Sequence, residues 1–241
     1  FHEEALKAQA VAARTYIINK SLKPDNDHPN ADVCTDSTHC KAYISNDEIV
    51  KKHGKNWMGE YSGKIKNCIN KTAGEIAVYL DEPIEAVFHS TGSGVTENAK
   101  DVWGSDVPYL VSVESPGDML SPVFENDITV SFSELKDKIY EKSGIEISPY
   151  IGEILRNESG SVKNINLGGV SLEGVEVRSI FSLPSTNFTV TAADNSFIFH
   201  CKGKGHGVGM SQNGVKGMLE AQYGYQDILS HYFPGTQITV L

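Results

Sequence analysis

The sequence predicts an α+β fold, with helices and strands mixed irregularly in a single domain over residues 1–241. Three observations carry that expectation. FHEEALKAQAVAARTYIINK opens the chain with good helix formers and no Gly or Pro. Short apolar runs such as EIAVYL, FTVTAA and SFIFHC have the length and β-branched or aromatic content of strands. Neither regular βαβ alternation nor an internal repeat or linker organises the rest.

The elements follow in order. At about 100° per residue, Glu4, Ala8, Val11, Thr15 and Ile18 share one face of the first helix, while Glu3 turns toward Lys7, Ala10 and Arg14. A polar stretch, SLKPDNDHPNADVCTDSTHC, leads to helical patterns at Asp47–Trp57 and Tyr61–Lys71, with Gly74 as the expected C-cap. EIAVYL and EAVFHS, separated by Asp-Glu-Pro, read as a strand pair, and YLVSVE as a further strand. Between them HSTGSGVTENAKDVWGSDVP is a long loop, of the kind that often carries function. DITVSF runs into a helix from Glu134 to Lys142, opened by the capping box Ser131-Phe-Ser-Glu134. Short strands fill Ile151–Ser182, ending in a helix near Val175–Phe181. FTVTAA and SFIFHC come next, then helices at Gln212–Tyr223 and Gln226–Phe233, and a last strand, TQITVL.

Composition excludes several classes. Hydrophobic residues at 39% and charged residues at 22% are ordinary for a globular protein long enough to bury a sizeable core. A net charge of −10 argues against nucleic acid or an anionic membrane as main partner. No apolar run approaches the ~20 residues of a membrane-spanning helix. The chain begins at Phe1, almost inside a helix, and reads as a fragment of something longer.

Four constellations carry chemistry. Glu4 heads an apolar stripe, so desolvation raises its pKa, as a general acid of glycosidase type requires. The helix macrodipole acts the other way and makes an acidic first turn ordinary. His28, Cys34, His39 and Cys40 crowd one polar loop and offer the donors of tetrahedral Zn²⁺. Four ligands would make the site structural; three would leave a position for water. A Cys34–Cys40 disulfide is the alternative. Calcium fits less well, since Asp25, Asp27 and Asp32 lack the glycine of an EF-hand loop. Four alternating glycines surround His206 in KGKGHGVGMSQ without matching a phosphate-binding motif. They let the backbone approach a ligand near His206, Ser211 and Gln212, or simply form a turn with Ser211 as N-cap. His89, Ser90, Thr91, Gly94 and Trp103 suit sugar binding, against the alternative of a solvated loop with Trp103 in the core.

EALKAQAVAARTY, HSTGSGVTENAKDVWG with PYLVSVESPGD, and GKGHGVGMSQNGVKGMLEAQYGYQDILSHYFPGTQI together resemble the stage II sporulation protein D (SpoIID) family, and the cysteine loop resembles its clostridial members. The resemblance implies a lytic transglycosylase that cleaves between N-acetylmuramic acid and N-acetylglucosamine of peptidoglycan during forespore engulfment, leaving a 1,6-anhydro end. It implies Glu4 as the catalytic acid. The expected glycan-binding set is Arg14, His89, Ser90, Thr91, Gly94, Trp103, His206, Ser211 and Gln212, in a groove lined by loops 89–94 and 203–212. It further implies peptide-stripped glycan as substrate, the amidase SpoIIP and a SpoIIM-type membrane complex as partners, and an extracytoplasmic place behind an N-terminal membrane anchor. Some relatives are non-catalytic amidase enhancers. Where this chain reads SQNG an aromatic often replaces Asn213, so no role is assigned to Asn213.

Overall fold

The computed structural model describes residues 1–23, 27–36, 39–40 and 42–241; Asp25 lies outside them. In chain order the first elements are α1 (Glu3–Ser21), α2 (Asn46–His53), α3 (Lys55–Lys71), β1 (Glu75–Tyr79), β2 (Glu82–Pro83), β3 (Phe88–His89), α4 (Ala99–Trp103) and a 3-10 turn (Pro116–Leu120). Then follow β4 (Glu125–Ser131), α5 (Phe132–Ser143), β5 (Ile151–Arg156), β6 (Val162–Leu167), β7 (Val170–Glu173) and α6 (Gly174–Ile180). The last are β8 (Phe188–Ala193), β9 (Ser196–Lys202), β10 (Met210–Ser211), α7 (Val215–Glu220), α8 (Tyr225–Tyr232) and β11 (Gln237–Val240). The class is α+β, and the chain sorts into two compact units, Phe1–Val87 with Ala221–Leu241, and Phe88–Glu220.

In the first unit α1 packs on α3, α8 and β1, and the sheet order is β11-β1-β2, antiparallel throughout. The apolar stripe of α1 is buried through Ala8, Val11 and Thr15. Thr15 donates to Val11 O (2.8 Å) and accepts from Ala77 N (2.9 Å), so its buried hydroxyl is satisfied while pinning β1 to the helix. The helical region at 46–71 breaks at Gly54, not between Trp57 and Tyr61. Gly54 sits at φ 86°, which ends one helix and starts the next. EAVFHS is not the partner of β1. Leu80 and Asp81 both have positive φ, 51° and 65°, and turn the chain straight back into the two-residue β2.

The second unit is built on two antiparallel sheets, β4-β9-β8 and β5-β6-β7. Their apolar faces form a core with Leu135, Ile139, Ile165, Val177, Phe181, Phe188 and Phe199. Ser131 caps α5 as expected, accepting from Glu134 N at 3.2 Å. YLVSVE forms no strand. Its amides go to side chains instead: Val113 N donates to Thr96 Oγ1 and Ser112 N to Asn98 Oδ1, both at 2.9 Å. The helix expected over 212–223 shrinks to α7, because Gln212 N and Asn213 N donate to His89 O and Ser90 O, and Gln222 adopts φ 63°.

Candidate active site and metal loop

Glu4 lies in the first turn of α1, half-buried, behind the N-cap His2. Each carboxylate oxygen has one partner. Oε1 accepts from Lys7 Nζ at 2.6 Å, and Oε2 accepts from Tyr225 N, the first residue of α8, at 2.9 Å. Tyr225 in turn donates its hydroxyl to Glu75 Oε2 at 2.9 Å, and Lys7 Nζ stands 5.4 Å from the tyrosine ring centre. Burial is the largest single influence on the Glu4 pKa and pushes it up, as the sequence led us to expect. The hydrogen bonds from Lys7 and Tyr225 N, with the charges of Lys7 and His2, outweigh it, and the net shift is down. In the free protein Glu4 is therefore an anion at neutral pH. Lys7 belongs to Glu4 and not to Glu3. The cation beside Glu3 is Lys71, at 3.2 Å, and it lowers the Glu3 pKa.

Arg14 has another task than the one expected. Its Nη1 donates to Thr72 O (2.7 Å) and Glu75 O (2.8 Å), so the guanidinium ties the end of α3 to the start of β1.

His28, Cys34, His39 and Cys40 converge, with one ligand atom from each lying within 4.8 Å of all the others. His28 Nε2 is 3.2 Å from Cys40 Sγ, and His39 Nδ1 is 3.4 Å from both Cys34 Sγ and Cys40 Sγ. The outer nitrogens are also engaged, His28 Nδ1 with Ala31 O (2.8 Å) and His39 Nε2 with Asp27 Oδ2 (3.4 Å), as ligating histidines require. All four cysteines are free thiols, so Cys34 and Cys40 are not joined. The donor set and its outer partners fit a tetrahedral metal ion.

In the second unit loops 89–94 and 203–212 come together. β3 pairs in parallel with β10, and Thr91 bridges Lys204. All four glycines, at 203, 205, 207 and 209, have φ between 70° and 122°. At Gly205 a Cβ would stand 2.8 Å from that of His89, so the close crossing requires glycine. The loop histidine His206 bridges Phe88 O (Nε2, 3.1 Å) and Val208 N (Nδ1, 3.1 Å).

Three expected sugar contacts are buried and serve this crossing instead. His89 is only 4% exposed, with Nδ1 on Val208 O and Nε2 lacking a hydrogen-bond partner. Burial depresses its pKa to about 4. Thr91 is bonded to Ser121, and Ser211 donates to Asp118 while accepting from Gly214 N and Gly92 N. Ser90, Gly94, His206 and Gln212 keep partial exposure. Trp103 is 46% exposed and not a core residue, its ring centre 5.2 Å from that of His206.

Sequence reasoning missed the residues that hold the crossing. Asp118, raised by burial against the pull of the Ser211 and Ser115 hydroxyls, anchors Ser211. Glu97, also raised by burial, accepts from Ser159 at 2.6 Å and closely from Ser161. Asn213, left without a role, donates to Ser90 O (3.0 Å) and Thr91 Oγ1 (3.1 Å). Asp118 sits in the SPGD motif, the one available signal; Glu97 offered none.

An α+β protein with a carboxylate at a helix start and a thiol-imidazole loop defines the class. The profile of the family described as stage II sporulation protein, SpoIID, matches residues 1–79. The chain is 35% identical to stage II sporulation protein D of Bacillus amyloliquefaciens, across 99% of this chain and 69% of that protein. Identity to stage II sporulation protein D of Bacillus subtilis strain 168 is likewise 35%, across the same shares. A B. subtilis protein named amidase enhancer is 27% identical across 98% of this chain and 38% of its own length. The chain belongs to the stage II sporulation protein D family, a sporulation family.

Proposed function

We propose that the protein is a lytic transglycosylase acting on the MurNAc–GlcNAc bond of peptidoglycan, with Glu4 as the single acid and base. The observation that carries this reading is the Glu4 constellation: one half-buried carboxylate, each oxygen held by one donor. Tyr225 N is fixed in the backbone, whereas Lys7 is a flexible side chain that can swing away, so Oε1 is the oxygen open to substrate. Protonated Glu4 gives its proton to the glycosidic oxygen as the C1–O bond breaks. The sugar's own C6 hydroxyl then attacks the oxocarbenium-like C1, and ionised Glu4 takes the hydroxyl proton. No second carboxylate or water is consumed, unlike in hydrolysis. Because free Glu4 is an anion, productive glycan binding must bring a proton with it, as exclusion of water by substrate favours the neutral acid.

The test compares the intact protein with Glu4→Gln and Glu3→Gln on amidase-treated peptidoglycan. Loss of acid–base help costs on the order of 10²–10⁴ in rate. Release of 1,6-anhydro ends should fall to at least the upper end of that range in Glu4→Gln and little in Glu3→Gln. Near-normal turnover by Glu4→Gln, or inactivity confined to Glu3→Gln, overturns the assignment.

The convergent His and Cys donors support a metal ion, and the family resemblance supports the substrate, partners and location. Zn²⁺ held by His28, Cys34, His39 and Cys40 would staple the loop that follows α1, outside the chemistry. Peptide-stripped strands are the substrate, SpoIIP and a SpoIIM-type complex the partners, and the extracytoplasmic face of the mother-cell membrane the location. A second reading comes from the relative named amidase enhancer. On that reading the protein binds glycan and stimulates an amidase, and both glutamine variants would stimulate equally without any anhydro product.

A further inference from the structure

Two polar groups of the second unit stand without a partner, and they are neighbours. Arg178, in α6, is half-buried, and its guanidinium makes no hydrogen bond or ion pair among the described residues. The acids close to it in sequence are engaged elsewhere, Glu176 with Lys142 at 2.8 Å and Glu173 in capping α6. Burial alone acts on the Arg178 pKa and lowers it; no carboxylate offsets that effect. The second group is His89. Val208 O can only accept, so the ring proton is on Nδ1, and the buried Nε2 is a lone pair with no donor facing it. His206 does not satisfy it, because both of its own nitrogens are held, by Phe88 O and Val208 N.

The backbone brings Arg178 and His89 together. Leu183 N donates to Arg178 O (2.9 Å), Gly205 N donates to Pro184 O (3.0 Å), and Gly205 lies against the His89 Cβ. The Arg178 charge accordingly acts on the His89 ring. A row of rings leads outward from there, His89 to His206 at 5.6 Å and His206 to the half-exposed Trp103 at 5.2 Å. A cation withdrawn from water without an anion is costly, and so is a buried acceptor without a donor. One ligand that carries an anion with an N–H beside it answers both.

We propose that Arg178 and His89 form a binding site for the C-terminal end of a peptide. The guanidinium fork takes the two oxygens of the terminal carboxylate, the geometry that arginine matches best. His89 Nε2 accepts the amide N–H next to that carboxylate, and the ring stays neutral. The site depends neither on Glu4 nor on the cleavage of any bond, so it stands apart from the lytic reading.

The experiment is an NMR titration of the intact protein with four probes at fixed ionic strength. N-acetylglycine carries the carboxylate and the N–H, N-acetylsarcosine has a methyl group in place of that hydrogen, acetate has the carboxylate alone, and inorganic phosphate is an anion of another shape. N-acetylglycine should give saturable shifts at the Arg178 side chain and the His89 ring. It should bind about three- to tenfold more tightly than N-acetylsarcosine or acetate, the net worth of one hydrogen bond. Arg178→Met should weaken it at least about tenfold, since hydrogen bonds to a charged group are stronger. Arg178→Lys should restore part of the loss, having the charge without the fork. The ranking of the probes on the unaltered protein needs no substitution, so it decides the matter even where a variant fails to fold. Shifts that avoid Arg178 and His89, equal binding of N-acetylglycine and N-acetylsarcosine, tighter binding of phosphate than of N-acetylglycine, or full affinity in a folded Arg178→Met each overturn the proposal.

Discussion

His89 is a histidine with no room for a second proton. Nδ1 donates to Val208 O at 3.1 Å, Nε2 faces no acceptor, and burial holds the pKa near 4 against an ordinary 6.5. In the unfolded chain the ring takes its proton first as pH falls. The stability it contributes is therefore complete above pH 6.5 and is lost progressively down to about pH 4, a change on the order of 3 kcal/mol. Glu97 and Asp118 act with the opposite sign, because burial raises their pKa values. They are common to the protein and to a His89→Leu variant, so they cancel in a comparison. Urea unfolding at pH 7 and pH 4.5 should show a smaller acid loss in His89→Leu than in the unaltered protein. Equal losses would mean that His89 titrates normally in the fold.

At the scale of elements, the segment between α1 and α2 carries no helix or strand among its described residues, and its order comes from the four convergent side chains. The purified protein should hold one zinc ion per chain by elemental analysis. Chelation should lower the melting temperature by several degrees and open this segment to protease. A metal-free preparation, or a mapped Cys34–Cys40 disulfide, would end that assignment. The donor set was legible because ligand chemistry is written in side chains close in sequence. So were α1, the Ser131 cap of α5 and the β8–β9 hairpin, where periodicity and local capping decide the outcome. EAVFHS was misread because β3 finds its partner at Met210–Ser211, far along the chain. YLVSVE has strand composition, but Thr96 and Asn98 satisfy its amides. Glu4 was legible as a helix-face residue, yet its pKa was not. One of its two donors is a backbone amide 221 residues away, which no side-chain pattern can announce.

At the scale of the molecule, the unit that holds Glu4 is assembled from both ends of the chain. Deleting residues 221–241 would remove the β11 ladder from β1, the α8 face against α1 and the amide on Glu4 Oε2 together. Hydrogen exchange on that deletion should show protection lost across residues 1–87 and kept in 88–220, with no anhydro product formed. Protection retained in 1–87 would show that the terminal segment is dispensable. Vectorial synthesis adds a consequence of the same connectivity. The helix that bears Glu4 leaves the ribosome well before its α8 support. At about 5–20 residues per second the two are separated by roughly ten to forty seconds. Unit 88–220 has that interval to fold while α1 waits. A nascent chain interrupted before residue 225 thus carries Glu4 without the backbone amide that holds its Oε2.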